Sequence, residues 1–133
     1  MKYQFNQCLG ARFRRISRII DTEYRACLQG FGITENQMNI LFALKASGEI
    51  SQGQIGDFLI LERSTISRNV NLLVKQDLVK RTTDYQPKVE LTKKGITLVN
   101  ELVPVWEKVM DNLVETIGVE NFESIKELEK KLI

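Results

Sequence analysis

The chain contains no histidine among its 133 residues. Histidine is the commonest general base and the commonest metal ligand near neutral pH, so its absence removes most hydrolytic and metal-assisted mechanisms. Cysteine is scarce too. Cys8 and Cys27 are the only two, and two thiols without an imidazole do not complete a zinc site. No apolar run reaches the roughly 18 residues that a membrane span needs. Met1-Lys2-Tyr3-Gln4-Phe5-Asn6-Gln7 lacks the apolar stretch of a signal peptide. Free thiols without an export signal lead to the expectation of a cytoplasmic protein. Nothing reads as a nucleophile–base pair or a glycine-rich phosphate loop, so neither an enzyme nor a cofactor is expected.

What is there suits a single compact chain: 43% of residues are hydrophobic and 27% charged. Net charge is only +2, but its distribution is uneven. Residues 1–44 carry six Lys/Arg against three Asp/Glu, and residues 45–94 carry nine against six. Residues 95–133 reverse the balance, with four against eight. A polyanion would therefore meet the first two thirds of the chain, with the acidic tail facing elsewhere.

Hydrophobic spacing predicts helices at 5–30, from Thr34 to Ser47, from Ser51 to about Leu59, and from about Ser64 to Gln76. Thr34 with Gln37 three residues later reads as a capping box, and Ser51 as a cap. The third helix is expected to bury Ile55, Phe58 and Leu59, and the fourth Ile66, Val70 and Leu73. The period then changes. Leu78–Thr83 and Lys88–Thr92 suit two strands around the turn-forming Asp84-Tyr85-Gln86-Pro87. A long fifth helix starts near Gly95, with Pro104 predicting a kink. A short sixth helix carries Phe122, Ile125, Leu128 and Leu132. The fold class expected is mainly α with a small β-hairpin wing: a winged helix–turn–helix over residues 34–95. Helices at 1–33 and 96–133 flank it.

In such an arrangement the second helix of the pair enters the DNA major groove. With Ile66, Val70 and Leu73 facing inward, the opposite face of the fourth helix shows Ser64, Ser67, Arg68, Asn71 and Lys75. Arginine among short hydroxyls suits base-edge and phosphate contacts. A merely solvated face is the competing reading, and a winged-helix protein-interaction module the competing function. Such a module has no need of Arg63 and Arg68 beside small hydroxyl residues.

Several pieces together carry a resemblance. They are Ile55-Gly56-Asp57-Phe58-Leu59, Ser64-Thr65-Ile66-Ser67-Arg68, Asp77-Leu78-Val79-Lys80-Arg81 and Leu91-Thr92-Lys93-Lys94-Gly95. With them the chain resembles the MarR family of bacterial transcription regulators over nearly its whole length. The resemblance implies double-stranded DNA as partner and DNA contacts from Arg63, Ser64, Thr65, Ser67, Arg68, Asn71 and Lys75. Two departures stand out. Asp77 occupies a position that is often glycine, and aspartate tolerates the left-handed turn required there. The wing lacks the family's Asp-x-Arg signature, with Gln86 in the arginine's place. Tyr85 or Lys88 is the expected substitute, more to phosphate than to bases.

The first, fifth and sixth helices each carry an apolar stripe that a small winged-helix core does not cover. The resemblance implies that a second copy covers them, making a homodimer. It also implies control by a small apolar or aromatic effector, with Val103 and Trp106 as a candidate pocket wall, although plain core packing suits Trp106 as well. The alternative is an oxidant-sensing thiol at Cys8, early in the first helix. Cys27 lies 19 residues further along the same helix, about 28 Å away at 1.5 Å per residue, too far to resolve Cys8 within one chain.

Overall fold

The computed structural model describes residues 1–133. A single 3-10 turn at Phe5–Gln7 precedes helix α1 (Leu9–Leu28), so the first helix begins later than its apolar spacing suggested. Then follow α2 (Glu35–Ser47), strand β1 (Ile50–Ser51), α3 (Gln52–Leu59) and α4 (Arg63–Lys75). Strands β2 (Val79–Arg81) and β3 (Lys88–Leu91) make the wing, and α5 (Lys93–Ile117) and α6 (Val119–Leu132) complete the chain. No helix is long and apolar enough to cross a membrane.

Two capping boxes place the helices of the lobe. The Thr34 hydroxyl accepts from the Gln37 backbone N–H at 3.3 Å, while Gln37 Oε1 accepts from the Thr34 N–H at 3.1 Å. Ser51 and Gln54 repeat the arrangement at 3.2 and 2.9 Å. Each pair satisfies two donors that a bare helix start would leave without partners.

The sheet is larger than a hairpin. β1 pairs antiparallel with β3, giving the order β1-β3-β2 with Ile50 opposite Val89. Two residues are too short to show an alternating pattern, which is why β1 is not legible from the sequence. Pairing of Val79 with Leu91 and Arg81 with Val89 sets the wing register.

The core lies where α2, α3, α4, the sheet and the first half of α5 meet. Met38, Ile40, Leu41, Leu44, Ile55, Ile66, Val70, Leu73, Leu78, Val79, Val89, Val99 and Leu102 are all buried there. One expectation needs correcting, and one burial was not foreseen. Phe58 is 74% exposed, because the α3 residues that pack inward are Ile55 and Gly56. Asn69 is buried on α4, where its amide donates to the Thr65 carbonyl at 2.9 Å and its Oδ1 accepts from Gln37 at 3.4 Å. That polar link fixes α4 against α2.

The turn after α4 holds the wing in place. Asp77 adopts φ 59°, the left-handed conformation expected of it. Its N–H donates to the Val74 carbonyl at 2.9 Å, and the Leu78 N–H donates to Leu73 at 3.0 Å. This is a Schellman motif, with Leu73 and Leu78 both buried beside it. The Thr92 hydroxyl then donates to the Asp77 carbonyl at 2.6 Å and accepts from the Gly95 N–H at 3.0 Å. Gly95 is required here: a Cβ would overlap the Leu78 carbonyl oxygen. The Leu-Thr-x-x-Gly pattern thus brings the start of α5 onto the end of α4. Helix α5 is continuous across Pro104.

Candidate nucleic-acid interface

Helix α4 presents the face that its spacing predicts. Ile66, Val70 and Leu73 are buried, while Arg63, Ser64, Arg68, Asn71 and Lys75 are exposed and Thr65 and Ser67 half-buried. Positions 64, 67, 68, 71 and 75 fall within one stripe because a helix repeats every three to four residues. The side chains of Arg63, Arg68 and Lys75 have no acidic partner and no hydrogen bond within the protomer. Their donors are free for an external anion. The lysines of α6 differ: Lys126 pairs with Glu123 at 3.5 Å and Lys130 with Glu127 at 3.1 Å.

Asn71 is the exception on the stripe. Its Oδ1 accepts a 2.6 Å hydrogen bond from Nη2 of Arg81 on β2. The same guanidinium donates twice to Gln52 Oε1 at the start of α3, at 3.0 and 2.9 Å. Arg81 therefore joins the wing, the first helix of the pair and the recognition helix. The motif Leu-Val-x-Arg contains it, but its role depends on two residues 29 and 10 positions away, which only the fold brings together.

The wing tip is open. Tyr85 is fully exposed, and Lys88 Nζ stands 3.8 Å from Glu49 of the segment before β1. At that distance and exposure the pair is weak, so Lys88 is available to exchange a carboxylate for a phosphate.

The candidate effector and sensor residues lie apart from this face. Val103 and Trp106 are half-buried on α5, and the Trp106 ring meets Phe42 of α2 edge-on, with centroids 5.1 Å apart. The Tyr24 hydroxyl donates to Met110 Sδ at 3.3 Å in the same layer, and burial pushes its pKa up. Trp106 thus contributes to packing of α1, α2 and α5. An apolar cavity of about 360 Å³ lies elsewhere, where Phe13 of α1 and Ile60 of the α3–α4 turn face Ile125, Leu128 and Leu132 of α6. Cys8 is exposed at the start of α1, whereas Cys27 is buried at its end, where desolvation raises the thiol pKa.

A helix–turn–helix followed by a two-stranded wing, in a sheet that β1 extends to three strands, is a winged-helix fold. Residues 31–88 match the profile of the MarR family. The chain is 24% identical over 122 residues to the transcriptional regulator MhqR of Bacillus subtilis, covering 89% of this chain and 84% of that one. Its fold superposes on BpsR of Bordetella bronchiseptica with a TM-score of 0.86 at 22% identity, covering 98% and 96% of the two chains. For a MarR-family regulator of Silicibacter pomeroyi the TM-score is 0.78 at 27% identity, over 96% and 86%. The winged-helix segment is thus similar to that of MarR-family regulators, and the fold extends over nearly the whole chain.

Proposed function

We propose that the protein is a homodimeric repressor that reads an operator through α4 and leaves it when a small apolar or aromatic molecule binds. The observation that carries the DNA-reading part is the α4 stripe of Ser64, Ser67, Arg68 and Lys75, whose side chains make no bond inside the protomer. Arg68, at the centre of the stripe, is the base reader. Arg63 and Lys75 at its ends hold phosphates, with Thr65, Tyr85 and Lys88 at the margins. The N-terminal residues 1–33 and the helices from residue 96 onward form the dimer contact.

Release requires an effector that binds two arrangements of the recognition helices unequally, since equal affinity shifts nothing. BpsR, whose DNA binding is regulated by 6-hydroxynicotinic acid, supports an aromatic effector. Val103 and Trp106 remain the candidate wall, and a ligand entering there displaces the Phe42 edge from Trp106.

Fluorescence anisotropy on operator and scrambled duplexes tests the reading. Arg68→Ala should weaken operator binding by about 1–3 kcal/mol while leaving the scrambled duplex nearly unaffected. Lys88→Ala should lower affinity for both alike and reduce the salt slope by about one. Equal operator affinity for wild type and Arg68→Ala would refute α4 as the reading helix.

A further inference from the structure

Ile60 carries two penalties at once. It caps α3 with φ 53° and ψ 49°, in the left-handed region. Of the six residues with positive φ, four are glycine and one is Asp77. A β-branched side chain in that region is an outlier, because its branch crowds the backbone. The turn itself is well held, with the N–H groups of Ile60 and Leu61 both donating to the Gly56 carbonyl. The Ile60 side chain is also 72% exposed. Asparagine or glycine would remove both costs, so the protomer alone gives little reason for isoleucine there. Backbone strain of this kind marks a place where function draws on it.

The surroundings of Ile60 supply the reason. It is the one residue of the winged-helix lobe that lines the apolar cavity of about 360 Å³. The other apolar walls are Phe13 of α1, Ile125, Leu128 and Leu132 of α6, and Ile133 just past it. These walls are 42–80% exposed. A small molecule on the cavity floor would leave the rim residues Leu132 and Ile133 in water. Phe13 belongs to the same exposed stripe of α1 as Leu9 and Ile16. Whatever covers the stripes of α1 and α6 therefore lies against Ile60 as well. A large apolar surface calls for another of its kind, and two-fold symmetry lets the same helices of a second copy provide it.

We propose that a second copy of the chain fills this cavity and clamps Ile60, so that the dimer contact extends from the flanking helices onto the turn of the helix–turn–helix. This rests on the dimer reading given above. Ile60 stands three positions before Arg63, the first residue of α4. A contact there fixes the start of the reading helix relative to its twin, as two half-sites at a set spacing require. Ile60 is thus a positioning residue that acts through α4.

Sedimentation equilibrium of the full chain with Ile60→Asn tests the proposal. Asparagine tolerates the left-handed conformation, so the lobe should fold. The dimer dissociation constant should rise roughly 10- to 100-fold, the loss expected when an apolar side chain no longer enters the interface. Combined with Ile125→Asp and Leu128→Asp, which should give a monomer, the same substitution should raise the urea midpoint. There it relieves strain and gives up no interface. Ile60→Leu, apolar but unbranched, should keep the wild-type dimer constant. An unchanged constant in Ile60→Asn overturns the proposal and leaves the dimer standing. So does a midpoint that falls in the charged chain, or an Ile60→Asn chain that does not fold, since the side chain would then belong to the lobe's own packing. A rise in Ile60→Leu as large as in Ile60→Asn also overturns it, because apolar contact would not be what the dimer needs. If the wild-type chain is a monomer at micromolar concentration, the proposal and the dimer reading fall together.

Discussion

The winged-helix lobe and the helices around it bury their apolar side chains to very different degrees. Of the 21 buried residues, only Cys27, Leu28, Ile33, Val99 and Leu102 lie outside residues 34–95. Helix α6 buries none of its 14 residues. On α1, Leu9, Phe13, Ile16 and Ile19 are exposed, and on α6 so are Ile125, Leu128 and Leu132. Yet all these helices are as strongly patterned as the lobe. The lobe's pattern is satisfied within one chain, whereas the pattern of the flanking helices needs a second surface. Apolar stripes of this extent on separate helices mark an association surface.

The sharpest way to break that comparison is to charge the unsatisfied stripe. Ile125→Asp with Leu128→Asp should leave the lobe folded and convert a species of twice the 15.3 kDa chain mass into one of that mass, by sedimentation. Specific operator affinity should drop by roughly 10³-fold or more, because two recognition helices at fixed spacing are needed for two half-sites. A wild-type chain that sediments as a monomer at micromolar concentration would remove the basis of this expectation.

Breaking the other side of the comparison means disturbing the lobe. Gly95→Ala places a methyl group against the Leu78 carbonyl, where neither backbone has room to yield. We expect a loss of about 1–3 kcal/mol or more, read as a fall of several degrees in the thermal midpoint. Ala at the exposed Gly53 of α3 meets only Ser51 Oγ, at an ordinary contact distance of 3.8 Å, and serves as the control.

Thiol labelling sharpens the contrast without perturbing either region. Iodoacetamide should modify Cys8 in the native protein and Cys27 roughly tenfold more slowly or worse, since burial both hides that thiol and raises its pKa. In urea the two rates should converge. Equal native rates would mean that the end of α1 is not packed as described.

How far the sequence carried this reading follows the same division. The helices of the lobe, their caps, the buried side of α4 and the left-handed Asp77 were legible because each depends on residues within one or two turns of each other. Strand β1, the burial of Asn69 and the exposure of Phe58 were not. A two-residue strand has no period, Asn69 is buried through a bond to Gln37 32 positions away, and Phe58 sits at a helix edge that only tertiary packing decides. The candidate DNA-contacting stripe was legible as a face, but Arg81 was absent from it. Its partners are distant in sequence, and no local pattern announces a guanidinium shared between two amides.

The smallest effect expected concerns the turn that joins recognition helix to wing. Asp77 pays two penalties there. Its φ of 59° is unfavourable for residues with a Cβ, though less so for aspartate than for most. Its carboxylate also stands just past the C-terminus of α4, where the helix dipole disfavours negative charge by about 0.3–1 kcal/mol at low salt. The two can be separated. Asp77→Asn keeps the tolerance for a left-handed backbone and removes the charge, so it should stabilise by a few tenths of a kcal/mol, fading as salt is raised. Asp77→Gly removes both penalties but loosens the unfolded chain by about 0.4–1 kcal/mol, leaving little net change. Asp77→Val keeps a Cβ that is branched and poorly suited to positive φ, and should cost about 1–2 kcal/mol. Urea midpoints for the three variants at low and high salt give the order Asn, Gly, Val from most to least stable. A valine variant as stable as wild type would mean that the turn does not hold its left-handed form in solution.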